Sequence, residues 1–290
     1  MLRTDADPPA FESGSLVPVA TYLLVISVLS GLLFVAPGAS PPPLLGMAWG
    51  VFLVALVIGA LGVEGVSART ILPSARTLLA AVGSVVVFWT LYNLVAAVLA
   101  TAGVHGFETT LSRVAANPML YLAALLSSLV FTAIPEEFLF RTYLQQKLTA
   151  LAGGGTRRAV GSGLVVVAVL FALFHLPRWF IGMEHGIGAA LGSRLLTLTL
   201  MGVAYGVVYA LTRNLWLVAL FHATMNQPPL LITVDVPSEM HFAVGLVEYV
   251  AIVAIVYLTT RVTESEPSVP VWTRTETGSA TSDQPRTARS

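Results

Sequence analysis

The sequence predicts an all-α membrane protein, a polytopic bundle of about eight transmembrane helices. Three observations carry this expectation. Of the 290 residues, 56% are hydrophobic and only 10% charged, with a mean hydropathy of +0.83, whereas a soluble domain carries roughly 25% charged residues. The apolar residues come in long blocks. Most blocks reach the length of about 20 residues that a helix needs to cross a bilayer. Zero net charge argues against a nucleic-acid partner. The chain has no cysteine, so disulfides, thiolate metal sites and cysteine nucleophiles are excluded.

Residues 1–15 are polar and mixed in charge, with Arg3, Asp5, Asp7 and Glu12. The apolar run after them is too long for a signal h-region and has no small-residue cleavage site, so it reads as a retained first span. Spans are placed at 16–37, 43–63, 77–102, 118–148, 158–177, 190–212, 214–228 and 240–260, which makes 16–262 the membrane bundle. The fourth span is long and contains Pro135. Proline removes a backbone hydrogen bond, and in lipid the freed carbonyl needs another partner, so the kink should face protein or a cavity. The seventh span is short and stops at Pro228-Pro229. Residues 263–290 are rich in Ser, Thr, Pro and Glu and predict a disordered tail.

An even number of spans puts both ends of the bundle on one side. With the N-terminus inside, inner segments hold 12 of the 15 Lys and Arg residues, and outer loops hold only Arg113, Arg178 and Arg194. Cytoplasmic loops carry the excess of basic residues, so a cell-membrane protein with both termini cytoplasmic is expected.

Ionisable residues inside a membrane are costly and mark function. From Val114 to Thr156 the only charged residues are Glu136, Glu137, Arg141 and Lys147. Glu137 and Arg141 are four apart and share a helix face, so they predict an ion pair. Glu136 is turned about 100° away and is free for other work. Two further polar sites follow: Phe171 with His175, and His222 with Asn226, each pair four apart. The glycine run 153–155 predicts a hairpin between the fourth and fifth spans. Counted from that hairpin, Glu136 and His175 lie at depths of about 21 and 26 Å. His222 lies only about 12 Å from Asn214, so meeting them requires a recessed loop before the seventh span.

These three sites, in this order, resemble the CPBP family of intramembrane proteases, which contains the type II CAAX prenyl endopeptidases and the bacterial Abi-type proteins. The family pattern is EExxxR, FxxxH, then HxxxN or HxxxD. Here it reads Glu136-Glu137-Phe-Leu-Phe-Arg141, Phe171-Ala-Leu-Phe-His175 and His222-Ala-Thr-Met-Asn226, with no departure. The resemblance covers about residues 118–228, which would be the protease core. It implies a hydrolase of peptide bonds in or beside the membrane, with Glu136 as general base, His175 holding the attacking water, and His222 and Asn226 stabilising the oxyanion. Glu137 and Arg141 would hold the helix, with Phe171 in a supporting place.

The cofactor stays open between zinc and none. Glu136, His175 and His222 match a zinc ligand set with one open position, and the family is often labelled metalloprotease. The HExxH helix motif is absent, no histidine pair has ligand spacing on one helix, and metal-free glutamate chemistry uses the same residues. Expected partners are membrane lipid and a membrane-associated protein or peptide, a prenylated CAAX-type substrate among them. Two rivals come from other classes. An ion-coupled transporter would show repeat symmetry with paired broken helices, and only one span is interrupted. A non-catalytic immunity or partner protein would keep the motif as a folding element. Glu248, midway along the last span, is not explained by the motif. His185, in the glycine-rich loop 182–188, reads as a solvated residue. Gly202 and Gly206 predict close helix packing.

Overall fold

The computed structural model describes Leu2, Phe11 and residues 14–36, 42–67 and 75–263. Most of the polar segment 1–15, and the tail from residue 264 on, lie outside the described residues. The helices in chain order are α1 (Leu16–Val35), α2 (Pro43–Val63), α3 (Ala75–Thr101), α4 (Pro118–Leu151), α5 (Arg157–Phe174), α6 (Ala189–Thr212), α7 (Leu215–Asn226) and α8 (His241–Thr263). Among the described residues, seven helices are long and apolar enough to cross a membrane, and α7 is the shorter apolar one. The architecture is nearly all-α, as expected. The exception is a two-stranded antiparallel ribbon of β1 (Phe107–Leu111) and β2 (Ile232–Val234).

The ribbon marks one end of the bundle, where α3 ends and α8 begins. The other end carries the α4–α5 hairpin. Its three glycines, Gly153, Gly154 and Gly155, all have positive φ (102°, 48° and 59°), a region that costs a glycine nothing. Thr156 then caps α5, its hydroxyl accepting from the Ala159 amide at 3.1 Å.

α7 begins at the hairpin end and is the seventh predicted span, with a difference. Its 12 residues rise only about 18 Å, short of the roughly 30 Å hydrocarbon core. The extended residues 227–231 complete the path to the ribbon. The turn before α7 is buried, in keeping with the recess that the depth of His222 requires. Arg213 turns the chain with a left-handed φ of 49°, and Thr212, Arg213, Asn214 and Leu215 are all buried. Asn214 anchors this turn: its Oδ1 accepts from the Leu217 amide (3.3 Å), and its Nδ2 donates to the carbonyls of Leu2 (3.1 Å) and Thr77 (3.0 Å). Leu2, the start of α3 and the start of α7 therefore meet at the hairpin end. α1 begins there and α8 ends there, so both ends of the bundle share one side.

α4 does not pass Pro135 as a simple kinked helix. A π stretch, Leu129–Ala133, precedes it, a single α turn, Ile134–Glu137, holds it, and a second π stretch, Phe138–Gln145, follows. Such stretches inside α-helices concentrate at functional sites. The carbonyl four residues before Pro135 belongs to Phe131 and receives no N–H from the proline. It faces Gly50 of α2, where an added Cβ would lie 2.5 Å from the oxygen. The freed carbonyl thus faces protein, and glycine is what permits the approach.

Lys147 is not the inner-loop charge that its place in the sequence suggests. It is buried and donates to Glu64, the residue that follows α2, at 2.6 Å, with the Phe11 ring 5.5 Å from its ammonium. This pair clamps α4 to α2 at the hairpin end.

Candidate active site

Adjacent glutamates on one helical turn project in different directions, and their surroundings differ accordingly. Glu137 is fully buried and both its oxygens are taken: Arg141 Nε donates to Oε2 at 2.9 Å, and His222 Nδ1 donates to Oε1 at 2.7 Å. The ion pair with Arg141 is the expected one. The bond to His222 was not expected and changes the role of Glu137, which orients a site histidine as well as bracing α4. Glu136 is 7% exposed, and among the described residues no donor hydrogen-bonds to it. His222 Nε2 lies 3.8 Å from its Oε2. That gap is too long for a direct hydrogen bond.

The tautomers follow from the partners. His175 Nδ1 lies 2.8 Å from the Phe171 carbonyl oxygen. A carbonyl only accepts, so Nδ1 carries the proton, and Nε2 is the nitrogen left to act. The same logic assigns the His222 proton to Nδ1, against Glu137. Nε2 of His222 then accepts when the ring is neutral and donates only as imidazolium, which the paired carboxylate supports.

Rings fix the rest. Phe171 presents an edge to His175 (centroids 4.9 Å apart) and to His222 (6.2 Å), and the Arg141 guanidinium stands 5.5 Å from its centroid. One phenylalanine therefore touches all three polar motifs, which accounts for its place in the pattern. On the opposite flank the Tyr205 ring lies 5.7 Å from His222 at 32°. Tyr205 sits on α6 between Gly202 and Gly206. A Cβ on Gly202 would meet Ala168 Cα at 2.9 Å, and one on Gly206 would meet Leu164 Cγ at 2.9 Å. The expected close packing is there, against α5. Gln145 Nε2 also donates to the Gly206 carbonyl at 3.0 Å, tying the second π stretch of α4 to α6.

Glu136, His175, His222 and Asn226 all line one cavity of about 950 Å³. The four side chains singled out from sequence are therefore brought to one wall. The wall also holds residues that sequence reasoning passed over, among them Thr132, Arg178, Trp179 and Tyr249. Arg178 had a legible signal, since it follows His175 by three residues in a helical stretch. Trp179 carries the loop with it: the His185 ring packs 4.4 Å from the indole, whose Nε1 donates to the Gly186 carbonyl at 3.0 Å. His185 is thus exposed but packed on Trp179, a residue of the wall. Glu248 faces the Tyr92 phenol of α3 and is not part of the wall.

A catalytic zinc takes three protein ligands. Glu136 and His222 are neighbours, but no group of three or more His, Cys, Asp or Glu side chains among the described residues stands close enough to hold a metal ion. The set Glu136, His175 and His222 does not fit a three-ligand zinc site in this arrangement, and no step below runs through a metal.

Residues 118–227 match the family model described as type II CAAX prenyl endopeptidase Rce1-like. The segment from α4 to α7 is thus similar to that family. It contains every residue of the three motifs, so the resemblance read from them holds. α1, α2, α3 and α8 lie outside the match, although α2 and α8 supply Met47 and Tyr249 to the cavity wall. No curated protein and no solved structure matches the chain.

Proposed function

We propose that the chain is an intramembrane endopeptidase that hydrolyses a peptide bond in a membrane-associated protein. Prenylated CAAX-type proteins are one member of that substrate class. The observation that supports this reading most is the division of labour between the glutamates. Glu137 is fully committed to Arg141 and His222, while Glu136 faces the cavity without a protein donor among the described residues.

A water held between Glu136 and His175 Nε2 gives a proton to the Glu136 carboxylate as its oxygen attacks the scissile carbonyl carbon. The developing oxyanion is stabilised by the Asn226 amide N–H and by the His222 imidazolium, a buried donor held in place by Glu137. The C–N bond then breaks, and the proton on Glu136 passes to the leaving amine, restoring the carboxylate.

The test uses full-length protein in proteoliposomes with membrane-anchored reporter peptides, prenylated and unprenylated. Asn226→Ala should lower kcat by about 10²-fold, the usual loss for one oxyanion donor, with KM little changed. A fall in affinity at unchanged kcat would mean that Asn226 binds substrate and does not stabilise the oxyanion.

A further inference from the structure

Two arginines stand in the cavity wall, and the reaction above uses neither. Arg178 opens the π stretch Arg178–Gly182 that follows α5, and Arg194 lies in the second turn of α6. Both line the cavity together with Glu136 and His175, and both are exposed. Their neighbours in sequence fix where they stand. Trp179, next to Arg178, is tied by its indole to the Gly186 carbonyl. Leu191, Arg194, Leu198 and Met201 recur at intervals of three and four residues and form the α6 side of the wall.

Arg194 is the only charged residue within α6. A lone arginine near the end of a membrane helix is commonly a snorkelling side chain that reaches the lipid headgroups. Here its helix face is the one turned to the cavity. Its charge acts on Arg178 and on the Tyr249 phenol of α8, both wall residues. The Tyr249 ring packs 6.0 Å from Tyr205, and the Tyr205 ring 5.7 Å from His222. The charges of Arg178 and Arg194 both reach His175, and that of Arg178 reaches Glu136. The two guanidinium groups are therefore neighbours of each other and of the reacting groups.

Like charges side by side repel unless an anion joins them. The described wall holds two guanidinium groups against one carboxylate, Glu136. Among the described residues no carboxylate lies within ion-pair distance of Arg194. The balancing anion is then one that the occupant of the cavity brings. A guanidinium fork matches a carboxylate in bidentate fashion, and an unmodified peptide carries carboxylates on Asp and Glu side chains and at its own C-terminus.

We propose that Arg178 and Arg194 form a carboxylate-binding subsite of the cavity, which holds an acidic group of the substrate peptide beside the bond that is cut. This deepens the hydrolase reading above and rests on it.

The test uses full-length protein in phosphatidylcholine proteoliposomes. Membrane-anchored reporters carry one Glu moved stepwise along an otherwise uncharged segment, each with a Gln twin, and each is made with a free and an amidated C-terminus. At one Glu position, or with the free terminus, KM should fall about 10-fold below that of the neutral twin, the scale of a charge-assisted hydrogen bond. A gain at a Glu position identifies a side-chain carboxylate, and a gain with the free terminus identifies a terminal one. Arg178→Gln and Arg194→Gln should erase the difference between the twins. Arg194→Glu should reverse it, favouring Lys at that position or the amide at that terminus, which a general loss of packing does not produce. Equal KM for every pair of twins on the unsubstituted protein overturns the subsite, as does a difference that survives both Gln variants. An effect of the arginines that needs phosphatidylglycerol in the vesicles and is equal across reporters assigns them to lipid headgroups and overturns it too. If no reporter is cut, the hydrolase reading fails and binding alone decides the subsite. Labelled acidic and neutral peptides should then still differ about 10-fold in Kd on the unsubstituted protein and not on Arg194→Gln, and equal Kd values overturn it.

Discussion

Glu136→Gln should lower the rate of proteolysis by about 10³-fold, within the range for loss of a general base, while the protein expresses and melts as the unsubstituted chain does. The two halves of this expectation have separate causes. The amide cannot take the proton of the attacking water. It also replaces a carboxylate that accepts no hydrogen bond from the described protein and lies only 7% exposed, so the fold loses only the 3.8 Å approach to His222. Removing a charge from such a place is neutral or mildly stabilising. Single-turnover cleavage and thermal unfolding in the same detergent check both halves. Normal cleavage by a well-folded Glu136→Gln protein contradicts the mechanism. Loss of cleavage together with loss of fold would mean that Glu136 is structural.

Glu137→Ala should behave in the opposite way and destabilise the bundle by about 3–5 kcal/mol, the cost of leaving a buried charge without its partner. Arg141 is fully buried, its Nε donates to Glu137, and neither Nη has a hydrogen-bond partner among the described residues. The face of Phe171 is its other support. The double substitution Glu137→Leu with Arg141→Met removes both charges and should recover most of the stability. Activity should not return, because His222 has lost the acceptor on Nδ1. Thermal unfolding and cleavage measured on the single and double variants separate the brace from the orienting role. A double variant that regains activity would show that Glu137 does not orient His222.

Much of this was legible in the sequence because it depends on local order. Hydropathy blocks mark the spans, four-residue spacing pairs Glu137 with Arg141, and the glycine run marks the hairpin. The same spacing shows that Glu136 and Glu137 differ, since one helical step turns them about 100° apart. What was not legible depends on contacts between distant segments. Arg141 accounts for one oxygen of Glu137, and nothing near it in sequence points to His222, 85 residues away. The recess before α7 is held by Asn214 on Leu2 and Thr77, bonds that no periodicity encodes. The π stretches of α4 leave the apolar pattern unbroken, so Pro135 alone signalled an irregularity there. Lys147 read as a loop charge because Glu64, its partner, comes from the end of another span.

The trapped complex of the Glu136→Gln variant with an uncleaved membrane-anchored peptide tests the central claim most directly, by cryo-electron microscopy. The scissile carbonyl oxygen should lie within about 3 Å of the Asn226 amide and His222 Nε2, the separation of oxyanion donors. The substituted side chain at position 136 and His175 should stand on the side from which water attacks. A peptide bound elsewhere would contradict the account, as would position 136, His175 and His222 turned to separate helix interfaces.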